Sequence, residues 1–375
     1  MLSSGYKHKV DSVFVWLVWV IAVIGLLMLS SASSVVSLQE HGYAYHYLTR
    51  QLLFGVIPGL VAFIVLSRVD YHITSKYAAI FLGISVLMLI AVLIPGVGVE
   101  LGGASRWLHF GPISIQPSEF FKLFFILYLA YWFDKKGWEN IRSLKNGVLP
   151  FLTFLSLAVV LLILQPDMGT MMVVIMSSAI LYFAAGARIS VLLSFIVAGF
   201  AGIMVLIKIA PYRLQRFTVF LNPDSDPLNI GWHINQALLA VGSGGFWGVG
   251  LGHSRQKYQY LPEVAGDSIF PIVAEELGFL LTAALVILMA TLILRGIKIS
   301  KTAPDNLGRL IAIGIMSWLG LQIFVNIAAM LNLLPLTGIP LPLVSHGGTA
   351  MAVNLAALGI VVNISGQTRK TEERR

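Results

Sequence analysis

The sequence predicts an all-α polytopic membrane protein with ten transmembrane helices, both termini cytoplasmic, and one long extracytoplasmic loop between helices seven and eight. Three observations carry that prediction. Hydrophobic residues fill 57% of the 375 positions and charged residues only 11%, where soluble domains carry about 25% charge. The mean hydropathy is +0.86. The apolar residues also fall in runs long enough to cross a bilayer, which takes about 20 residues each.

Ten such runs lie near 12–33, 50–67, 76–96, 114–133, 148–165, 168–187, 190–210, 268–294, 307–331 and 342–364. The first follows Lys7 and Lys9 and resembles the charged and apolar regions of a signal peptide. No convincing cleavage site follows it, so it reads as a signal-anchor helix. The second and third runs flank Arg68 and Lys76, and the fourth contains Glu119 and Lys122. The fifth and sixth meet at Gln165-Pro166-Asp167, where proline removes a backbone donor and stops a helix. The seventh leads into the long loop, and the eighth opens just after Asp267. Between the last two, Pro335, Pro340 and Pro342 with Gly338 and Gly347-Gly348 predict non-helical backbone at membrane depth. Such backbone is tolerated where it is buried in protein or lines a cavity.

The basic residues set the orientation. Lys7, Lys9, Arg68, Lys76, Lys135, Lys136, Arg142, Lys145, Arg188, Arg295, Lys298, Lys301, Arg309, Arg369, Lys370, Arg374 and Arg375 all fall on one side of the ten-helix map, while the short loops opposite hold only Arg50 and Arg106. Cytoplasmic loops carry the excess of Lys and Arg, so the net charge of +8 reports topology rather than nucleic-acid binding. The chain has no cysteine, which excludes disulfides and thiol chemistry. Residues 1–367 form one domain, and 368–375 form a polar cytoplasmic tail.

The loop over 212–266 is too long to be a plain connector. Trp232, Phe246, Trp247, Tyr258 and Tyr260 suit the membrane interface, and Ile234 to Val241 predict a short helix lying on it. Gly242, Gly244, Gly245, Gly248, Gly250 and Gly252 allow close approach of backbone to a ligand. They follow no strand and match no nucleotide-binding pattern.

Several polar residues are candidates for chemistry. Ionisable groups within spans are costly and point to function. Glu119 and Lys122 share a helix face at i, i+3, either as a structural ion pair or as the lining of a polar cavity. Asp167 closes the short turn between two spans. Glu275 and Glu276 lie roughly 12 Å along the eighth helix from Asp267. Adjacent helical positions diverge by about 100°, so the two are not expected to share a partner; hydrogen bonding to neighbouring helices is the plainer reading. Asp267 has two readings, an N-cap and a general base. A helix N-terminus favours the ionised form, which keeps a base deprotonated but lowers its basicity. Arg213, Arg216, Arg255 and Lys257, with Arg106 from the loop before the fourth span, form an outer basic set. It is either a headgroup anchor or a grip on pyrophosphate, which guanidinium forks suit. Ser345 and His346 read first as helix-end groups. No metal-ligand spacing occurs.

Taken together, these residues resemble the SEDS family of bacterial cell-wall proteins (FtsW, RodA and SpoVE) over nearly the whole chain. The resemblance is carried by Arg106-Trp107 with Gly111-Pro-Ile-Ser-Ile-Gln-Pro-Ser-Glu119-Phe-Phe-Lys122, and by Gln165-Pro-Asp167-Met-Gly169-Thr. In the loop it runs through Asn222-Pro, Asp226-Pro227, Gly242-Ser-Gly-Gly245, Gly250-Leu-Gly252, Leu261-Pro-Glu263 and Asp267 to Ala274-Glu-Glu-Leu-Gly278. It ends with Thr337-Gly-Ile-Pro-Leu-Pro342 and Ser345-His-Gly-Gly348. Ser254-Arg-Gln-Lys257 and Ser31-Ala-Ser-Ser34 look closer to the FtsW branch. Two departures stand out: Ala265-Gly266 where the family usually has His-Thr, and His346 where it usually has tyrosine.

The resemblance implies an inverting peptidoglycan glycosyltransferase that polymerises lipid II, an undecaprenyl-pyrophosphate-linked disaccharide pentapeptide, at the outer face of the cytoplasmic membrane. It implies Asp267 as catalytic base, and Arg106, Trp107, Arg213, Arg216, Arg255, Lys257, Glu263 and Ser345 as substrate-binding residues. Glu119, Lys122, Asp167, Glu275 and Glu276 would support them. A divalent cation, Mg2+ or Mn2+, is a further candidate for neutralising the pyrophosphate, though the sequence shows no dedicated cage. The implied partners are a class B penicillin-binding transpeptidase and other cell-division membrane proteins. A lipid II flippase, an elongation polymerase of the RodA type and a non-catalytic scaffold remain alternatives. A polymerase needs Asp267 at the outer face, whereas a transporter depends on midplane groups such as Glu119, Lys122 and Glu275.

Overall fold

The computed structural model describes residues 10–101, 104–111, 113–191, 193, 194, 199, 202 and 211–367. Most of the expected seventh span (190–210) and the tail 368–375 lie outside the described residues.

Helices dominate. α1 (Ser12–Ala32) is capped by Asp11, whose carboxylate accepts from Phe14 N and pairs with Arg295 at 2.8 Å. A separate short α2 (Ser34–His41) follows, then α3 (His46–Gln51), which runs through a π turn, Leu52–Val56, into α4 (Ile57–Arg68). α5 (Tyr71–Lys76) and α6 (Ala78–Val92) come next. α7 (Pro117–Ile141) starts at a proline, whose fixed φ suits a first helical position, and breaks at Gly137. A π turn, Leu144–Val148, opens α8 (Leu149–Leu164), and α9 (Met168–Ala184) follows. Beyond the seventh run come α10 (Pro211–Leu221), α11 (Ile230–Ser243), α12 (Ile269–Lys301), α13 (Asn306–Met330) and α14 (Gly348–Gly366).

Among the described residues, six helical segments are long and apolar enough to cross a membrane: Ser12–Ala32, His46–Arg68, Leu144–Leu164, Ile269–Lys301, Asn306–Met330 and Gly348–Gly366. α6 and α9 are apolar but shorter. α7 has the length, and it carries the buried Glu119 and Lys122. The protein is a multi-pass membrane protein. α14 lies at its centre, almost wholly buried, with α4 packed closely along it. Gly59 and Gly359 make that approach possible: a Cβ at 59 would come within 3.0 Å of Ala352 Cα, and one at 359 within 2.7 Å of the Phe63 carbonyl. Small residues let membrane helices pack backbone to backbone in this way.

Three expectations are corrected. The stretch before the fourth span is an antiparallel sheet, β1 (Gly98–Leu101), β2 (Ala104–Phe110) and β3 (Ile113–Ile115), in the order β1-β2-β3 with Leu108 opposite Ile115; α7 therefore starts after the expected boundary at 114. The start of the long loop is helical, as α10. The last span begins at Gly348 rather than 342, because the chain before it is held in an irregular path by side chains. Gln322 Nε2 donates to Pro340 O at 3.0 Å, Asn326 Nδ2 to Ile339 O at 2.8 Å, and Gln51 both donates to Ser345 O and accepts from Gly347 N. Buried backbone groups need partners, and here polar side chains supply them.

The glycine-rich loop also finds a different partner from the one expected. α12 breaks at Gly278 (φ 73°, ψ −179°). The break frees the carbonyls of Glu275 and Glu276 and the N–H groups of Phe279 and Leu280 from the helix. The loop takes up all four: Val249 N and Gly250 N donate to the two carbonyls at 3.0 Å, while Phe279 N and Leu280 N donate to Gly245 O and Phe246 O. Gly244 and Gly248 thus admit the backbone of α12. A Cβ at Gly248 (φ 81°) would sit 2.3 Å from Glu276 O. Gly248→Ala is therefore expected to cost about 2–4 kcal/mol through strain and overpacking. Thermal unfolding checks it, and an unchanged transition would contradict this packing.

Candidate active site

Asp267 sits between the long loop and α12. The cap position of α12 is Ser268, not Asp267, so the N-cap reading of Asp267 does not hold. Its main chain is fixed from below, where Asn326 Nδ2 donates to both Asp267 O and Ile339 O at 2.8 Å. One carboxylate oxygen, Oδ1, lies 3.4 Å from the Ser268 hydroxyl, which in turn meets His233 Nε2 of α11 at 2.6 Å. The other, Oδ2, faces Gly338, where a Cβ would stand 3.8 Å away.

The segment 336–340 is the hub of the site. Arg216 of α10 donates to Leu336 O at 3.1 Å. The start of α9 packs against it, since a Cβ on Gly169 would lie 2.8 Å from Thr337 O. Gln322 links it to the interior. It donates to Pro340 O, and its Oε1 accepts from Lys122 Nζ at 3.0 Å and from Trp318 Nε1 at 2.8 Å. Lys122 also pairs with Glu119 at 2.8 Å, both side chains 2% exposed. The buried pair stands beneath the hub and is tied to it through Gln322.

Burial sets the electrostatics. It raises the Asp267 carboxyl to about 6, against the opposing pull of the Ser268 hydrogen bond and the Arg216 charge. The residue as a whole is half-buried, so Asp267 is crowded by protein without being sealed off. Glu263 is raised as well, first by partial burial and then by the negative charge of Asp267. Burial, aided by Arg216 and opposed by Glu263, lowers His233 to about 4, which keeps it neutral at physiological pH.

The other sequence candidates fall into separate groups. Arg106 of β2 forks onto the carbonyls of Gln165 and Pro166 and so ties the sheet to the α8–α9 turn; Trp107 pairs with Val99 across the sheet. Asp167 caps α9 through Thr170 N at 3.1 Å. Arg255 is exposed, and its N–H donates to Glu275 at 2.9 Å. Lys257 is not part of an open basic surface: its ammonium is 2% exposed and bonded to Glu276 at 3.0 Å, with Ser31 Oγ at 3.4 Å. The expectation that Glu275 and Glu276 diverge to different partners is likewise corrected. Both accept from Ser254, the first through the hydroxyl and the second through the N–H. Ser345 Oγ accepts from Leu341 N at 2.8 Å. The Arg213 side chain lies outside the described residues.

The two departures from the family pattern are in direct contact, since His346 N donates to Ala265 O at 2.7 Å. Residues absent from the sequence reading are Gln51, His233, Ser268, Gln322 and Asn326. For Gln322 and Asn326 a signal existed: two amides at i, i+4 in an apolar run share one helix face.

The chain is similar to known proteins over nearly its whole length. The profile of the FtsW/RodA/SpoVE family, described as cell cycle protein, matches residues 12–370. The chain is 40% identical to stage V sporulation protein E of Bacillus subtilis over 97% of its own length and 99% of that protein. It is 38% identical to the probable peptidoglycan glycosyltransferase FtsW of Trichlorobacter lovleyi, over 95% of this chain and 93% of the relative. Its fold matches a chain of a peptidoglycan synthase complex with a TM-score of 0.78 at 28% identity, covering 95% and 98% of the two chains. It also matches the rod shape determining protein RodA of Thermus thermophilus, with a TM-score of 0.70 at 28% identity over 96% and 98%.

Proposed function

The chain belongs to the FtsW/RodA/SpoVE family of cell cycle proteins, and we propose that it is an inverting peptidoglycan glycosyltransferase that polymerises lipid II. The observation that carries the reading is Asp267, a half-buried residue with a carboxyl of raised pKa at the loop end of an apolar helix, facing a glycine and beside Arg216. Ten spans with both ends cytoplasmic would put this site at the outer face of the bacterial cytoplasmic membrane, where septal synthesis takes place.

In the reaction, the acceptor sugar's 4-hydroxyl attacks the donor's anomeric carbon. Asp267 takes the hydroxyl proton, the new C–O bond forms as the anomeric bond to phosphate breaks, and the lipid pyrophosphate leaves with the electron pair. A base within hydrogen-bond reach of the hydroxyl lowers that barrier, and positive charge near the leaving oxygens stabilises the charge they gain. Arg216, Arg213 and the exposed Arg255 are the proposed pyrophosphate contacts. Arg106, Trp107, Glu263 and Ser345 would shape the surrounding subsite. Lys257 is assigned to holding the loop.

Mg2+ or Mn2+ could accompany the pyrophosphate. Among the described residues, however, no three His, Asp or Glu side chains converge as ligands, and no step here depends on a cation. The likeness to a chain of a peptidoglycan synthase complex supports a penicillin-binding transpeptidase as partner; other division membrane proteins are proposed partners on the family resemblance alone.

The test is strand formation from labelled lipid II by the purified protein with its transpeptidase in detergent. Detergent leaves no compartments to transport between, so polymer supports the enzyme, whereas its absence beside lipid II movement in vesicles supports a flippase. Strand formation is also expected to decline as pH falls through about 6, because the base must be ionised. Initial rates from pH 5 to 8 (roughly the range across which such a carboxyl titrates) check this. A flat profile would contradict Asp267 as base.

A further inference from the structure

Asp267 does not present its two oxygens equally. Oδ1 faces the Ser268 hydroxyl, and Oδ2 faces the space left by the missing side chain of Gly338. Ser268 is fully buried, and its hydroxyl lies 2.6 Å from His233 Nε2. A serine hydroxyl has a single proton. If that proton is given to Asp267 Oδ1, the short contact to His233 must be a donation from Nε2–H into Ser268 Oγ. The chain then runs in one direction, from imidazole to hydroxyl to carboxylate, and fixes the histidine tautomer.

On the glycosyltransferase reading, we propose that Ser268 and His233 are positioning residues, which hold Oδ1 of Asp267 so that Oδ2, facing Gly338, is the oxygen that takes the acceptor's proton. The proton moves from the acceptor hydroxyl to Oδ2 as the glycosidic bond forms, and the pyrophosphate leaves with the electrons of the broken bond. His233 and Ser268 neither gain nor lose a proton in that step. Three features support the assignment. The carboxylate's two neighbours differ: a hydroxyl on one side and an unobstructed glycine on the other. His233 is held neutral by burial, so it orients the chain without adding a positive charge that would weaken the base. The contact from Ser268 to Oδ1 is long at 3.4 Å, and catalytic hydrogen bonds often tighten only when substrate is bound.

The groups facing Asp267 are Arg216 from α10, His233 from α11 and Glu263 from the preceding turn. α13 and the 336–340 segment place the uncharged Asn326 and Gly338 against it. Ser268 donates to the ionised form of Asp267, so its loss would raise the acid limb of the pH profile.

The experiment uses the full chain with its transpeptidase and compares Ser268→Ala, His233→Leu, His233→Gln and Asp267→Asn with the wild type. Ser268→Ala is expected to lower kcat about tenfold or more, the scale on which misplacement of a reacting group acts. KM for lipid II should change by less than about twofold, because the pair touches no substrate. The acid limb should move to higher pH. His233→Leu should lower kcat in the same way, and His233→Gln, which keeps a side-chain N–H donor, should restore most of that loss. A wild-type pH profile and kcat in Ser268→Ala would overturn the assignment, as would a rise in KM alone or failure of His233→Gln to recover activity at wild-type thermal stability. Asp267→Asn separates the two levels of the argument. If it retains wild-type turnover, the base reading fails and the positioning role falls with it. If it is inactive while Ser268→Ala behaves as wild type, only the positioning role fails.

Discussion

Asp267→Asn is expected to lose strand formation by about 10²–10⁴-fold, the usual worth of a general base, while the protein stays folded. The two effects should separate because burial has already made the carboxylate a burden on the fold. Its folded-state value, about 6, lies above the 3.8 of an ordinary aspartate. The folded protein therefore holds the proton more tightly than the unfolded chain does. The stability this contributes is complete below about pH 4 and is lost as pH rises through about 6. Above that window the ionised group costs the fold up to about 3 kcal/mol. Asparagine removes the charge and keeps the shape, so the variant should match or exceed the wild-type melting temperature at pH 8, with the difference shrinking toward pH 5. Thermal unfolding at both values reads this directly. A variant that melts well below the wild type at pH 8 would mean that the carboxylate is held by partners that favour its charge.

Glu276→Ala should have the largest effect on stability. Glu276 accepts from Lys257, from Ser31 of α1 and from Ser254 of the loop, so one carboxylate joins three segments. Removing it strands an ammonium that is 2% exposed. Breaking a buried pair from one side costs about 3–5 kcal/mol, while replacing both partners with apolar groups of similar size is often close to neutral. The double variant Glu276→Leu/Lys257→Met is therefore expected to recover most of the loss. Chemical or thermal unfolding of the two singles and the double would measure the coupling. Additive losses would contradict a buried pair and return Lys257 to the outer basic surface.

The contrast between what the sequence conveyed and what it concealed follows from the range of the interactions. α1 and α13 match the expected spans to within one residue at each end, because a long apolar run bounded by polar residues is a local signal. The sheet over 98–115 went unread although Gly102-Gly103 and Gly111-Pro112 are hairpin signals. Its strands are only three to seven residues long and lie between two strong helical runs. The break at Gly278 depends on a second segment, the loop at 245–250, and no local pattern encodes that pairing. The loop glycines indicated close approach, but glycine does not say what approaches, and at Gly244 and Gly248 it is the backbone of α12.

The site divides in the same way. Asp267 stands out in the sequence by its motif and its place at the start of an apolar helix, and the structure sets it between the long loop and α12 with Ser268, His233 and Arg216 around it. Lys257 was grouped with the outer basic residues by charge type, and only the fold brings Glu276 to it. His233 offered no warning, since a single histidine on an amphipathic helix has many uneventful explanations. Gln322 and Asn326 could have been found, because two amides on one face of a membrane helix need partners; their partner is the irregular segment that forms the floor of the site.

The most direct test of the central claim is a side-by-side assay of wild type and Asp267→Asn, each purified with the transpeptidase in detergent, given labelled lipid II at pH 7.5 (about 1.5 units above the base's own value) with crosslinking blocked. The account predicts glycan strands from the wild type and at least about a hundredfold fewer from the variant, with the variant melting at or above the wild type and binding the transpeptidase equally. Strands of equal length and yield from both proteins would contradict it.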